Sequence, residues 1–272
     1  MNLRKKIAAM ILGGSLAVGS VPASERYFTY TYEPETMPKG AWEFEQWATL
    51  RAGRDSAVGQ DQFREWDIRH SIEYGVTDNY TVELYVNESH QSFRDPATGM
   101  DSSLWNFDGI SFENRYQVLN PAEHKVGLTL YLEPRYSDKE SEVEEKIILG
   151  QRCGNWKWAV NLTHSIVFEN RFHTANGELE GSFGIARDLG KHWAVGVEAR
   201  DFNTLPSYHS WESTAVYVGP VVSYRKANWW ATLAVMPQVF GKNFSGASTG
   251  SGHLELVDNE RANVRLIFGI GF

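Results

Sequence analysis

The sequence predicts an all-β protein, a single closed antiparallel transmembrane β-barrel of twelve strands. Three observations predict this fold. Apolar residues recur at every second position along most of the chain, which is the period of a β-strand. The connections between these runs alternate between short and long, as in barrels with short periplasmic turns and longer extracellular loops. After residue 19, no apolar run approaches the roughly 18 residues of a membrane-spanning helix.

The first 23 residues have the three-part pattern of a cleavable signal peptide. A basic segment over residues 1–6 precedes an apolar run over residues 7–19, and small residues follow at 21–23. The apolar run is too short for a transmembrane helix, which needs about 20 residues. We therefore expect export, with cleavage of residues 1–23 after Ala23.

Twelve runs with the period of a strand lie between turn signals. In the last run, the even-numbered positions from 264 to 272 are apolar, and those between them are polar or glycine apart from Ile267. An even number of strands is typical of a bacterial barrel with both termini on one side. The predicted strands lie near residues 42–51, 62–76, 79–90, 103–119, 123–136, 142–152, 155–170, 178–187, 191–202, 213–226, 228–241 and 260–272.

Aromatic residues cluster near one end of these strands. This is the end where the short connections fall, and with both termini in the periplasm it is the periplasmic end. Aromatic side chains favour the interface between membrane and water, so the cluster indicates a girdle at that level. The girdle residues are Trp42, Tyr74, Tyr80, Tyr116, Trp156, Trp158, Trp193, Tyr224, Trp229 and Phe272.

The chain divides into a signal peptide over 1–23, a periplasmic N-terminal segment over 24–41 and the barrel over 42–272. Residues 25–34 also alternate and could form a short extra strand. An added spanning strand would spoil the even count. We therefore expect this segment to be a tail that packs at or inside the periplasmic mouth.

Along each predicted strand, the positions that alternate with the apolar residues carry many charged side chains. These positions are expected to face the lumen. Buried charges are tolerated when they are paired or when they line water. The pattern therefore fits a dry network of ion pairs as well as a narrow wet pore. The candidate lumen-lining residues are Glu43, Glu45, Arg69, Glu83, Glu113, Arg115, Lys125, Glu133, Arg135, Lys157, Glu198, Arg200, Arg225 and Arg265.

The end of the chain resembles the C-terminal assembly signal of Gram-negative outer-membrane proteins. Phe268, Ile270 and the terminal Phe272 carry this resemblance. Residues 32–47 are also similar to the opening of uncharacterised outer-membrane barrel proteins, and no activity follows from that similarity. The resemblance implies location in the outer membrane, contact with its lipid and insertion by the barrel assembly machinery.

A charge-lined lumen favours a narrow channel for small polar or charged solutes, because the lining controls what passes. Two alternatives stay open: a closed barrel with a structural or binding role, and a lipid-modifying enzyme of the outer membrane. The enzyme is disfavoured. His70 and His164 have lipid-facing parity, but Ser71 and Ser165 beside them point to the opposite face, so neither pair forms a nucleophile–base dyad by itself.

No cofactor or metal site is expected. The eight histidines lack the spacing of zinc ligands, and Asp95 and Asp101 belong to no EF-hand series. Glu43 and Glu45 share a strand face, but a charged lumen wall gives the same pattern. The net charge of −8 disfavours nucleic acid as a partner. The single cysteine, Cys153, rules out an intramolecular disulfide.

Overall fold

The computed structural model describes residues 25–55, 59–169, 174–246 and 252–272, and it confirms the predicted fold class. Each strand pairs with its neighbours in sequence, and the first pairs with the last to close an antiparallel barrel. The predicted signal peptide lies outside the described residues. The strands are β1 (Trp42–Ala52), β2 (Asp61–Thr77), β3 (Tyr80–Arg94), β4 (Asp101–Leu119), β5 (Gly127–Tyr136), β6 (Glu140–Cys153), β7 (Trp156–Glu169), β8 (Thr174–Leu189), β9 (Trp193–Leu205), β10 (Ser213–Lys226), β11 (Trp229–Asn243) and β12 (Ala262–Gly271).

At one end of the barrel, four of the five connections have two or three residues, and the fifth is the turn 120–126. This end, here the short-turn end, has the connections 78–79, 120–126, 154–155, 190–192 and 227–228. The opposite end, here the long-loop end, has the connections 53–60, 95–100, 137–139, 170–173, 206–212 and 244–261. Several of these are shorter than predicted because the strands continue further toward this end. Within the described residues, the 3₁₀ turn Pro206–Tyr208 lies between β9 and β10, and no helix is long and apolar enough to cross a membrane.

β5 begins at Gly127, four residues later than predicted. The side-chain oxygen of Asn120 accepts a hydrogen bond from the amide of Ala122 at 2.9 Å. The main-chain oxygen of Asn120 accepts from the amides of Glu123 and His124 at 3.0 Å each. These bonds hold the backbone in a turn, so these residues cannot join the strand ladder.

The outer face of the barrel is apolar over most of its height. Ile72, Leu84 and Phe112 lie in one row across three paired strands, and all three are exposed. At the short-turn end the aromatic rings touch one another. The ring centroids of Trp42 and Tyr74 lie 4.3 Å apart. The sequence pattern thus places apolar side chains outward and rings at one rim.

The inside of the barrel is filled at the short-turn end by the segment 25–41, here called the plug. Its residues 26–34 are all buried, and it forms no strand. The plug therefore agrees with the expectation of a packed tail and not with an added spanning strand. Its aromatic side chains form two apolar clusters with the inner wall: one around Phe28 and Tyr30, the other around Tyr32.

Glycines on the inner wall make room for the plug. A Cβ atom on Gly184 would lie 2.5 Å from the ring of Phe28. Cβ atoms on Gly127 and Gly150 would lie 2.7 and 2.8 Å from the ring of Pro34. Since real Cβ atoms do not approach so closely, a larger residue at these positions would push the plug away from the wall.

Candidate functional site

One carboxylate holds the middle of the plug. Glu198 on β9 is fully buried and points into the lumen. Its Oε2 accepts hydrogen bonds from the amide of Thr29 at 3.1 Å and from the hydroxyl of Thr29 at 2.9 Å. Its Oε1 accepts from the amides of Tyr30 and Thr31 at 2.6 Å each. Three successive amides around one anion form a nest, and bonds to a charged acceptor are about twice as strong as neutral ones.

Wall amides and hydroxyls satisfy the next part of the plug backbone. The Asn161 side chain accepts from the amide of Tyr32 at 2.6 Å and donates to its carbonyl at 2.9 Å, as a strand neighbour would. The carbonyl of Pro34 accepts from Gln117 at 2.8 Å and from Thr129 at 2.6 Å. The plug therefore does not need a strand partner to satisfy these buried groups.

A charge cluster fixes the plug where it meets the short-turn end. Asp188 accepts hydrogen bonds from Arg152 and Arg225 at 2.6 Å each. The hydroxyl of Tyr27 donates to the same carboxylate at 3.1 Å. The guanidinium of Arg225 lies 3.9 Å from the centre of the Tyr27 ring, at cation–π distance.

Beyond the plug, toward the long-loop end, the lumen widens into a vestibule of about 400 Å³. Tyr30 and Tyr32 of the plug form its floor. The guanidinium of Arg265 lies 3.8 Å from the centre of the Tyr30 ring, and its Nε donates to Thr49 at 2.8 Å. Among the described residues, no carboxylate oxygen lies within 4.0 Å of this guanidinium.

The other cations of the vestibule wall have carboxylate partners. These ion pairs are Arg51–Asp67, Arg69–Glu133, Arg200–Glu180 and Lys146–Glu144 at 2.5 Å each, together with Arg135–Glu140 at 2.6 Å and Arg135–Glu142 at 2.7 Å. Both signs of charge are thus offered around one cavity, and most partners lie on neighbouring strands.

The last long loop borders the vestibule. Glu255 in this loop is buried, and its carboxylate accepts from the amides of Val257 at 3.0 Å and Asn259 at 3.1 Å. The side chain of Gln238 donates to the Glu255 carbonyl and accepts from its amide, at 2.7 Å each. Burial, together with the charge of Glu255, raises the pKa of Asp258 to about 6.

A second set of carboxylates lies at the level of the plug, on the strands β1 to β4. Arg115 pairs with Glu73, with Glu113 at 2.6 Å and with Glu83 at 3.8 Å. The hydroxyl of Tyr32 in the plug is 3.3 Å from the Glu113 carboxylate, to which it donates. One guanidinium is therefore shared by three buried carboxylates beside the plug.

Two further carboxylates complete this set. Oxygen atoms of Glu43, Glu45 and Glu73 all lie within 4.8 Å of one another, and the three residues are buried. The indole N–H of Trp47 donates to Glu45 at 2.6 Å, and that of Trp230 donates to Glu43 at 3.0 Å.

The predicted lumen residues face the interior with one correction. Lys125 was expected to line the lumen, but it lies in the exposed turn 120–126, because β5 begins only at Gly127. Those at or below the level of the plug are Glu43, Glu45, Glu83, Glu113, Arg115, Lys157, Glu198 and Arg225, and those around the vestibule are Arg69, Glu133, Arg135, Arg200 and Arg265.

Several apolar residues that face inward were not predicted from the sequence. Ile267, which interrupts the alternation of the last strand, is fully buried in the cluster around Tyr32. Trp47, Ile148 and Trp230 belong to the same cluster. Their signal in the sequence is an apolar residue at a position that the alternation assigns to the lumen. Such a residue is unfavourable against water but suits contact with a plug.

A polar cluster around His164 lies on the outer wall and was not predicted from the sequence. The loop 206–212 folds back onto the wall, so that the Tyr208 hydroxyl lies 2.9 Å from Nε2 of His164. The other ring nitrogen of His164 is 3.8 Å from a carboxylate oxygen of Glu145. Ser165 is buried. It faces the lumen, as its parity predicts, and so forms no dyad with the outward His164 beside it.

Comparison with known proteins gives a family and a set of structural neighbours. The sequence matches the family described as "Family of unknown function (DUF6662)" over residues 20–149 and 161–272. No curated protein sequence matches the chain.

Solved structures share the fold at low sequence identity. The COG4313 outer membrane channel from Pseudomonas putida F1 superposes with a TM-score of 0.60 at 11% identity, over 90% of this chain and 100% of that chain. The NanC porin gives 0.52 at 7% identity, over 84% and 98%. The β domain of the Bordetella autotransporter Brka gives 0.52 at 8%, over 86% and 100%. At these identities the likeness shows the fold alone.

Proposed function

The chain belongs to the DUF6662 family of unknown function, and we propose that it is an outer-membrane channel for small polar or charged solutes, closed at rest by its own plug. The observation that carries this proposal is the charge-paired vestibule, which ends on the plug instead of on the barrel wall. The COG4313 channel and the NanC porin, which share the fold, support a channel.

The proposed location is the outer membrane of a Gram-negative bacterium. The apolar outer face and the aromatic rim suit a bilayer, and the structural neighbours are outer-membrane barrels. We propose export with cleavage after Ala23 and insertion by the barrel assembly machinery, with Phe268, Ile270 and Phe272 as the assembly signal. The plug then enters the lumen from the periplasmic side, and outer-membrane lipid surrounds the barrel.

The arrangement of charges suits a solute that carries charge. A charged group that leaves water needs a partner of opposite sign, and a paired wall offers either sign at short distance. Arg265 has no carboxylate partner within 4.0 Å among the described residues, so it is the residue proposed to attract an anionic group. Twelve strands enclose more space than the eight that side chains alone can fill, so moving the plug would leave a passage.

A closed barrel with a binding role is the second candidate. The observation that favours it is the anchoring of the plug backbone, which finds partners in Glu198, Asn161, Gln117 and Thr129. The vestibule would then be a binding cavity without an exit. The two candidates differ in one measurable property, namely whether the plug can leave the lumen of a folded barrel.

Planar-bilayer conductance of the purified protein tests the proposal. We expect wild-type protein to open rarely and Glu198→Ala to open more often, because the substitution removes four hydrogen bonds to a charged acceptor, each worth about 1.5–3 kcal/mol. The control is Asp67→Asn, which removes a lumen carboxylate that pairs with Arg51 away from the plug. Its open probability should match the wild type.

Hydrogen exchange of the plug amides shows whether the plug of a variant has left its site, and so separates the two candidates when no conductance is seen. If the plug of Glu198→Ala exchanges freely while conductance stays absent, the channel proposal is wrong and the closed barrel is favoured. If the plug of this variant stays protected, the double variant Glu198→Ala/Asn161→Ala should release it, and conductance is measured again. Lipid hydrolysis by wild-type protein without conductance would instead favour the enzyme.

A further inference from the structure

We propose that Glu43, Glu45 and Glu73, with Ser71 beside them, form a binding site for a calcium ion inside the barrel wall. The two strands β1 and β2 supply all four residues. In the pairing of these strands, Glu43 faces Glu73 and Glu45 faces Ser71. All four are buried and lie on the lumen side.

The spacing of the oxygen atoms fits calcium. Calcium binds oxygen at about 2.3–2.6 Å, so two ligand atoms of one ion are at most about 5 Å apart. Oxygens of Glu43, Glu45 and Glu73 lie within 4.8 Å of one another. Magnesium suits the site less, because it usually keeps several waters and is rarely held by a dedicated all-protein cage. Carboxylates and a hydroxyl are hard ligands, which suit calcium and not soft metals.

The local charge also favours a cation. Arg115 pairs with Glu73, Glu83 and Glu113, and the buried Arg26 of the plug interacts electrostatically with Glu45 and Glu73. Two positive charges therefore face the five buried carboxylates of Glu43, Glu45, Glu73, Glu83 and Glu113. Glu45 receives its 2.6 Å hydrogen bond from the neutral indole of Trp47. Carboxylates this close cannot all be ionised in a buried place without further positive charge. A divalent cation supplies that charge and lets the carboxylates stay ionised.

Unsatisfied polar atoms point to the same place. The Ser71 hydroxyl is buried, and it has no hydrogen-bond partner in the described part of the chain. One carboxylate oxygen of Glu73 and one of the adjacent Glu83 also lack a hydrogen bond there. Buried polar atoms are rarely left without a partner. An ion at this position would give Ser71 and Glu73 the partner that the protein does not provide.

Terbium luminescence tests the site directly, because Tb³⁺ replaces calcium and emits when a nearby indole is excited. Trp47 and Trp230 donate hydrogen bonds to two of the ligand carboxylates, so both indoles lie beside the ion. Full-length mature protein is purified in detergent, treated with chelator and titrated with Tb³⁺. We expect emission on tryptophan excitation, and we expect excess Ca²⁺ to abolish it.

Glu43→Gln is the main variant, because glutamine keeps an acceptor for the Trp230 indole while it removes one ligand charge. We expect it to weaken Tb³⁺ binding by about tenfold or more, since ligand charge sets the affinity of such sites. The matched control is Glu133→Gln, which removes a lumen carboxylate paired with Arg69 outside the site. This control should bind Tb³⁺ as the wild type does.

Thermal unfolding gives a second readout that does not depend on luminescence. Calcium should raise the Tm of the wild type and of Glu133→Gln but not that of Glu43→Gln, because an ion stabilises only the form that binds it. Absence of emission in the wild type, or equal Tb³⁺ affinity in Glu43→Gln and wild type, would overturn the proposal. The cluster would then be neutralised by protons.

Discussion

At the scale of single residues, the inner wall serves two different neighbours. Facing the plug it carries small and apolar residues such as Gly184, and facing the vestibule it carries ion pairs such as Arg200–Glu180. A wall in contact with water alone would not place glycine under an aromatic ring. The side chains on the inner wall thus differ between the level of the plug and the level of the open lumen.

A methyl group added at Gly184 should therefore loosen the plug. The new Cβ of Gly184→Ala would lie 2.5 Å from the Phe28 ring, and overpacking of this kind costs about 1–3 kcal/mol. We expect faster hydrogen exchange of the plug amides over residues 28–32, with the barrel strands unchanged.

The matched control is a double-mutant cycle with Phe28→Ala. Once the ring is removed, the methyl group at Gly184 has nothing to displace, so the second substitution should add little to the first. Strict additivity of the two changes would contradict the direct contact between this glycine and the plug.

At the scale of elements, the strands were predictable from the sequence. For the plug, the sequence predicted a packed tail but not its contacts. All twelve predicted strands form, because alternation is a local property of the sequence. The start of β5 was not predictable from alternation, since it depends on hydrogen bonds of Asn120 to the turn. Lys125 was misplaced for the same reason.

The packing of the plug depends on contacts between residues far apart in the chain, such as Tyr30 with Glu198. Periodicity along one segment carries no information on such partners. The inward apolar residue Ile267 was visible as a break in the alternation. Its role follows only from the position of the plug, whose Tyr32 belongs to the same apolar cluster. The paired acids Glu43 and Glu45 were likewise visible, while their closeness to Glu73 depended on the strand register.

The last long loop should respond to pH through Asp258. Its folded-state pKa of about 6 lies above the usual 3.8, so its contribution to loop stability is fully present below about pH 4 and is lost as the pH rises through 6. We expect faster hydrogen exchange of residues 252–261 at pH 7 than at pH 4, after correction for intrinsic rates. The Asp258→Asn variant should show the same protection from exchange at pH 4 and at pH 7. If this variant keeps the pH response of the wild type, the prediction is wrong.

At the scale of the whole molecule, the apolar outer face has a limited height. Leu84 lies four residues from the rim residue Tyr80, and Leu104 lies twelve from the rim residue Tyr116. With tilted strands these separations correspond to about 10 Å and about 30 Å, while a membrane barrel has an apolar band about 25 Å tall. Leu84 is thus expected inside the bilayer and Leu104 beyond it.

Arginine at these two positions should have different costs. Leu84→Arg should lower the unfolding free energy in lipid bilayers by about 2–4 kcal/mol, because it places a charge near the middle of the membrane. Leu104→Arg, at similar exposure in the protein, should cost close to nothing. Chemical denaturation in liposomes measures both, and equal costs would contradict the proposed membrane position.

The covalent link between the plug and β1 has a kinetic consequence. The last residue of the plug, Ala41, directly precedes Trp42 at the start of the first strand. A displaced plug therefore stays within a short tether of its own binding site, where its effective concentration is on the order of millimolar. A competitor that binds Glu198 with the same intrinsic affinity has to exceed that concentration, so each opening ends by rapid intramolecular rebinding and the closed state restores itself without a second component.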